Sequence, residues 1–255
     1  LGTINMAHTR FSSLLRNLVD LRLNFMQACQ NDVPGLLAAR TYARSFREAV
    51  QRAFAANMPP GGEWALAAVG GFGRGEQSYA SDLDLLFLYR SKFPRELREI
   101  IQELVYGLWD NGFEVGHVTA SLSAVKRLAK EDFTVLTNYL ETRWVAGDQQ
   151  LYDVWRESFV GGLGLRQRKR FLKTLVRYRS GRLHHYGESS YLLEPHVKEG
   201  VGGLRDLHVI RWAAMVFHQV CDFQRMIRSQ WLTEQEVRWL EQAGDFLWRV
   251  RLQLH

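Results

Sequence analysis

Two short strings constrain this chain more than anything else in it: Val69-Gly70-Gly71-Phe72-Gly73-Arg74-Gly75-Glu76, and, a few residues on, Ser81-Asp82-Leu83-Asp84-Leu85. The apolar run Trp64-Ala65-Leu66-Ala67-Ala68-Val69 leads into the first string and reads as a buried strand; Leu83–Tyr89 reads as a second. Side chains alternate along a strand, so Asp82 and Asp84 share a face. Two bare carboxylates side by side repel, and a divalent cation with a taste for hard oxygen ligands, Mg²⁺ or Mn²⁺, removes that penalty. Gly70 and Gly71 let backbone N–H groups approach an anion that a Cβ would keep away. A glycine-rich turn alone is an ordinary turn, and an Asp-x-Asp alone is an ordinary solvated strand edge. In strand–turn–strand order they describe a site for the phosphates of a nucleoside triphosphate.

The rest of the composition sets limits around that site. A chain of 255 residues can bury the core of one large or two modest domains, and 46% hydrophobic with 24% charged residues is a globular balance. No apolar run approaches a membrane span, and the first residues lack a charged-then-apolar signal pattern, so no membrane partner and a cytoplasmic location are expected. Cys29 and Cys221 are too few for a disulfide framework and lack metal-ligand spacing, which predicts two reduced, buried thiols. The net charge of +6 suits a nucleotide, an acidic protein surface or a nucleic acid. No motif mixing aromatic and basic residues in the RNA-stacking manner appears.

Read in order, residues 7–30 and 36–56 have helical periodicity; in the second, Tyr42, Phe46, Val50 and Phe54 recur a turn apart, with Arg40, Arg44, Arg47 and Arg52 between them. Asn57 to Gly62 breaks the pattern. Pro94 opens a helix whose stripe is Leu97, Ile100, Ile101, Leu104, Val105 and Leu108, closed by Asn111-Gly112. Phe113–Thr119 reads as a third strand carrying Glu114 and His117; His117 suits either a packed, hydrogen-bonded role or contact with the nucleotide or acceptor. From Ser121 to Phe159 the pattern is helical with a break at Gly147-Asp148, and Ser121 or Ser123 can cap its first segment. The aromatics Phe133, Tyr139 and Trp144 fall at core spacing. Gly161-Gly162-Leu163-Gly164 marks a boundary between domains at 1–160 and 161–255.

Beyond it, residues 165–187 carry Arg166, Arg168, Lys169, Arg170, Lys173, Arg177, Arg179 and Arg182 with no acid among them. Two readings stand: a solvated helix face, or a patch that steers triphosphate or an acidic partner. Tyr191 to Asp206 is a glycine-flanked turn, Gly200-Val201-Gly202-Gly203, opening into a helix, with Lys198 and Arg205 beside it. It reads either as an anion site at a helix start or as a structural hinge in which Asp206 pairs with Arg205 or a distant cation. Thr233-Glu234-Gln235-Glu236 is a capping box. The helix it starts reaches His255 without a stop signal, which predicts a chain that continues.

Gly70-Gly71 followed by Ser81-Asp82-Leu83-Asp84 resembles the signature of the polymerase-β-like nucleotidyltransferases. The full glycine string, Glu114-Val115-Gly116-His117 and the pattern Leu193-Glu194-Pro195…Lys198…Gly202-Gly203-Leu204-Arg205-Asp206 resemble the bacterial PII-protein uridylyltransferases, over roughly residues 36–255. The resemblance implies an α+β fold, a mixed sheet with packed helices followed by an all-helical lobe. It implies an enzyme that transfers UMP from UTP to a tyrosine of the PII nitrogen-signalling protein, releasing pyrophosphate. On that reading Asp82 and Asp84 hold two Mg²⁺ (or Mn²⁺) ions, and Glu114 completes the metal site or takes the acceptor's proton. Gly70 and Gly71 admit the phosphates, Ser81 and Arg74 contact them, and Lys198 and Arg205 close the cleft. Relatives also carry a phosphohydrolase domain that removes the nucleotide; with no His-Asp doublet here, that activity is expected to be absent from this chain. An adenylyltransferase of glutamine synthetase, a tRNA-end-adding enzyme and a nucleotide-sensing module without turnover are the alternatives.

Overall fold

The computed structural model describes residues 10–30, 35–58, 62–187, 196–219 and 223–255. These form two compact units, the first built on 10–30 and 38–155, the second on 156–254 together with 35–37.

The first unit centres on a four-stranded sheet, β1 (Trp64–Ala68), β2 (Leu83–Tyr89), β3 (Val115–Ser121) and β4 (Arg143–Gly147), in the order β3-β2-β1-β4. β1 runs antiparallel to β2 and β4, and β2 runs parallel to β3. The sheet is therefore mixed, as expected. Helices α1 (Ser12–Cys29) and α2 (Gly35–Asn57) cover one face. Tyr42, Phe46, Val50 and Phe54, spaced a turn apart on α2, are buried there with Leu66, Ala68, Leu83, Leu85 and Phe87. Phe46 is the hub, its ring edge-on to Phe72 and Phe113, 5.6 Å from each. By the ~25 cal/mol per Å² rule each such ring contributes a few kcal/mol to holding α2 on the sheet.

The helix after β2 runs as α4 (Arg95–Ile101), a π-helical turn Gln102–Tyr106, and α5 (Gly107–Asp110). Pro94 caps it from outside in an extended conformation, and Gly112 closes it at φ 73°, as the Asn-Gly pair predicts. Ser121 accepts a hydrogen bond from the Ala124 N–H (3.2 Å) and so caps α6 (Leu122–Glu131). α7 (Phe133–Leu140) follows, capped by Asp132.

The span from Ser121 to Phe159 is not wholly helical. Between α7 and α8 (Gln149–Val160) the chain adds β4 to the sheet, with Trp144 opposite Ala67 and a register shift between Leu66 and Ala67. Val145 and Ala146 are both buried although adjacent, so the five residues show no alternation to betray a strand.

The second unit is helical among its described residues: α9 (Leu165–Gly187), α10 (Leu204–His218), α11 (Phe223–Arg228) and α12 (Glu234–Leu254). Trp212 and Trp248 are almost fully buried in it. The capping box is formed: Glu236 accepts from the Thr233 N–H at 2.8 Å and returns its own N–H to Thr233 Oγ1 at 3.2 Å. Cys29 is a buried free thiol whose pKa burial pushes up; Cys221 lies outside the described residues. Pro59 to Gly61, and Tyr191 to Pro195 with the Leu-Glu-Pro string, also lie outside them. No described helix is long and apolar enough to cross a membrane.

Candidate active site

The site grows from the junction of β1 and β2. Val69 is extended and donates its N–H to the Asp84 carbonyl (3.0 Å), so the chain leaves β1 pinned beside Asp84. It then turns at Gly70, whose φ of 57° is left-handed territory. The glycine string is not an open loop: Gly70–Arg74 forms a single-turn helix, α3, ended by Gly75 at φ 75°. Gly73 is there for packing, since a Cβ on it would collide with the Glu141 carbonyl.

Gly70 has a different neighbour. A Cβ built on it would lie 3.1 Å from Asp84 Oδ2, and one built on Gly116 would lie 2.8 Å from Asp84 Oδ1. The Asp84 carboxylate therefore sits in a cradle between two glycines, one entering α3 and one on the neighbouring strand, where Gly116 is its partner in register. Asn138 of α7 brings its Oδ1 within 3.8 Å of the Gly70 position. Gly116 and Asn138 are the site neighbours that sequence reasoning missed. Gly116 stood inside a quoted string, but only the β2–β3 register reveals what it faces.

Asp82 is exposed two residues upstream, and alternation puts it on the Asp84 face. Glu114, also exposed, accepts the Leu83 N–H on its carbonyl (2.8 Å); the register carried back one step sets it opposite Asp82, on that same face. His117 has the opposite parity, and its ring lies among Phe87 and Trp109, 6.4 and 6.0 Å away. Among the described residues no three His, Cys, Asp or Glu side chains are gathered as a metal-holding group. The carboxylates thus share a face, with Asp84 alone in the cradle, and form no closed cage. The donor set fits a hard divalent cation that keeps waters and substrate oxygens among its ligands, since that kind of ion needs only one or two protein carboxylates.

Arg74 turns inward. Its guanidinium side chain is 9% exposed and pairs with Glu76 (3.4 Å) and with Glu141, both buried, while Arg40 reaches Glu76 from α2 at 3.2 Å. The charges of the glycine string thus brace the turn from within. Ser81 accepts the Ser78 N–H on Oγ (2.9 Å) and donates its own N–H to the Ser78 carbonyl (3.1 Å), closing the turn just ahead of Asp82. Arg143 of β4 donates to the Gly73 and Arg74 carbonyls at 3.3 and 3.4 Å, which ties down the far end of α3.

The second unit's glycine turn is occupied by its own chain. The Leu204, Arg205 and Asp206 N–H groups donate to the Val197, Lys198 and Gly203 carbonyls at 2.9–3.0 Å, so the first turn of α10 offers no N–H to an anion. Arg205 lies bidentate on Glu199, 2.6 Å at its closest. Burial works against the ionised Glu199, but the hydrogen bonds and charge of Arg205, helped by Lys198 and Arg182, outweigh it and hold the carboxyl below its usual range. Asp206 takes the distant-cation option, pairing with Arg182 and, at 3.4 Å, with Arg179. Arg182 is buried, so the basic run on α9 is not wholly a solvated face.

A mixed sheet that presents an Asp-x-Asp beside a glycine-entered helix, and a helical unit after it, defines a nucleotidyltransferase-type chain. Residues 11–130 match the model of the nucleotidyltransferase family DUF294, and residues 170–255 match that of the GlnD PII-uridylyltransferase family. The chain is 39% identical to the bifunctional uridylyltransferase/uridylyl-removing enzyme of Novosphingobium aromaticivorans over 79% of its length, and 39% identical to that of Phenylobacterium zucineum over the same share. With the enzyme of Nitrobacter winogradskyi it shares 37% over 83%. It belongs to the PII-uridylyltransferase family, and spans 22–23% of the length of these relatives. Nucleotidyltransferases of this kind depend in general on divalent metal.

Proposed function

We propose that this chain carries the nucleotidyl-transfer centre of a PII uridylyltransferase, moving UMP from UTP to a tyrosine hydroxyl of the PII protein with release of pyrophosphate. One observation carries the reading: the Asp84 carboxylate lies between Gly70 and Gly116, where a Cβ on Gly116 would fall 2.8 Å from its Oδ1 and force it to move. A reacting phosphate needs the space that the two glycines leave beside the carboxylate. The relatives' names support a uridylyl group as the one transferred, and the family model's name supports PII as the acceptor.

In this reading Asp82 and Asp84 hold Mg²⁺, and Glu114 stands across the strand pair from Asp82 to complete the set or to accept the tyrosine proton. Bound there, the cation would offset the charge on the phosphate oxygens and lower the hydroxyl pKa. Gly70 and Gly71 give the phosphate tail room, and Ser81 fixes the turn that aims Asp82. Arg74, already committed to Glu76 and Glu141, keeps α3 in place. Lys198 and Arg205 belong to the closed turn of the second unit, where Arg205 is held by Glu199.

The test is transfer of label from α-labelled UTP, and separately ATP, to purified PII with Mg²⁺. Label on PII from UTP supports the proposal. Nucleotide binding without any label moved would show a sensing module, and label from ATP alone would point to an adenylyltransferase.

A further inference from the structure

Among the described residues, no strand lies beyond β3 at the edge of the sheet beside Asp84. β3 is the edge strand, and Gly116, His117 and Val118 in its middle are all exposed. The direction of its backbone groups follows from one bond. The Glu114 carbonyl accepts from Leu83 of β2, so in a parallel ladder Glu114, Gly116 and Val118 turn their N–H and C=O groups toward β2. Val115, His117 and Thr119 then turn theirs outward. The Val115 carbonyl is taken by the Trp109 indole N–H at 3.1 Å, which closes one end of the edge. No hydrogen bond from outside the sheet reaches the backbone of His117 or Thr119 among the described residues.

We infer that this edge receives an extended segment of the acceptor protein as a fifth strand and delivers its hydroxyl to Asp84; the inference rests on the transfer reading above. An added strand lies ~4.8 Å outside β3, hence about 10 Å from β2. Its alternate side chains point to the face that carries Asp82, Asp84 and Glu114. The residue of β3 lying between the edge and Asp84 on that face is Gly116, which has no side chain. A tyrosine opposite Gly116 would pass over bare backbone to reach the carboxylate. Gly116 thus serves twice: it spares the carboxylate a clash and leaves a lane to it. Val118, 41% exposed and next along that face, offers apolar contact to the following residue of the segment. Glu114 at the near end favours a segment with a cationic or neutral side chain there.

The experiment compares His117→Pro with His117→Ala in the full-length protein, with PII as acceptor. Proline is tolerated where an edge N–H faces outward, so the sheet should survive. His117→Pro should raise KM for PII roughly tenfold, as expected for a lost main-chain bond and a blocked edge, with the affinity for UTP unchanged. His117→Ala keeps the backbone and should stay within about twofold of the parent. Amide exchange of the unaltered protein gives a second readout: His117 and Thr119 should gain protection when PII is added. Equal KM values for the two variants, or no added protection in a protein that labels PII, would overturn the edge inference alone; the edge would then be cover for another segment of the same chain. Failure of the unaltered protein to label PII would overturn the transfer reading and this inference with it.

Discussion

The two glycine-rich stretches of this chain look alike as text and behave as opposites. Gly200-Val201-Gly202-Gly203 closes on itself: the first N–H groups of α10 are filled by local carbonyls, Arg205 is spent on Glu199, and Asp206 on Arg179 and Arg182. Gly70-Gly71-Phe72-Gly73-Arg74-Gly75 spends its own arginine inward in the same way, on Glu76 and Glu141, yet stands beside two carboxylates on one strand face. No ion pair holds the Asp82 side chain among the described residues, and Asp84 lies between two glycines. The difference is one of placement. A turn closed by its own groups is a structural clasp, and a turn beside two like charges on one face is placed to hold a cation.

The largest effect should come from the carboxylates themselves. Asp82→Asn and Asp84→Asn should each lower UMP transfer on the order of a thousandfold, the scale of losing a principal electrostatic group, with circular dichroism unchanged. Near-normal transfer by either variant would remove the contrast between the two turns. Gly116→Val comes next. Its Cβ would fall 2.8 Å from Asp84 Oδ1, so the carboxylate must swing away, and transfer should drop about a hundredfold through kcat, with less than 2 kcal/mol lost in chemical denaturation. If Gly116→Val were as active as the parent, the cradle would be incidental.

The inward network gives the reverse signature. Glu141→Ala leaves Arg74, 9% exposed, beside a vacated partner, and should cost about 3–5 kcal/mol of stability. A thermal scan would show it, and whatever folded protein remained should still bind UTP. The same change made in the second unit, where Arg205 and Glu199 are each 15% exposed at the side chain, should cost less.

Much of this was legible before any coordinate was known. The strands on either side of the glycine string, the caps at Ser121 and Thr233, and the Asp82–Asp84 alternation all follow from local rules that act over a few residues. What was not legible lies across strands. β4 escaped because Val145 and Ala146 are buried side by side, and a strand covered on both faces has no period to read. Gly116 lies 32 positions beyond Asp84, and only the parallel register makes them partners. A cation beside glycines invites the reading that Arg74 faces a phosphate; Glu141, its buried partner, is 67 positions away in a stretch that reads as plain helix.

The smallest expected effect tests the clasp. Glu199 has its carboxyl pKa depressed by Arg205 against the opposing cost of burial. A depressed folded-state pKa means that the ionised carboxylate stabilises the native state at every pH above the ordinary unfolded value, ~4.3, and that this contribution fades as pH falls through the lower folded value. The parent should therefore lose stability below about pH 4.5 more steeply than Glu199→Gln, and the two should differ by a constant amount at neutral pH. Urea midpoints measured at half-unit steps across that window read the slope. Parallel curves would mean that the Glu199–Arg205 pair contributes nothing to the clasp, and the second glycine turn would then need another reason for being closed.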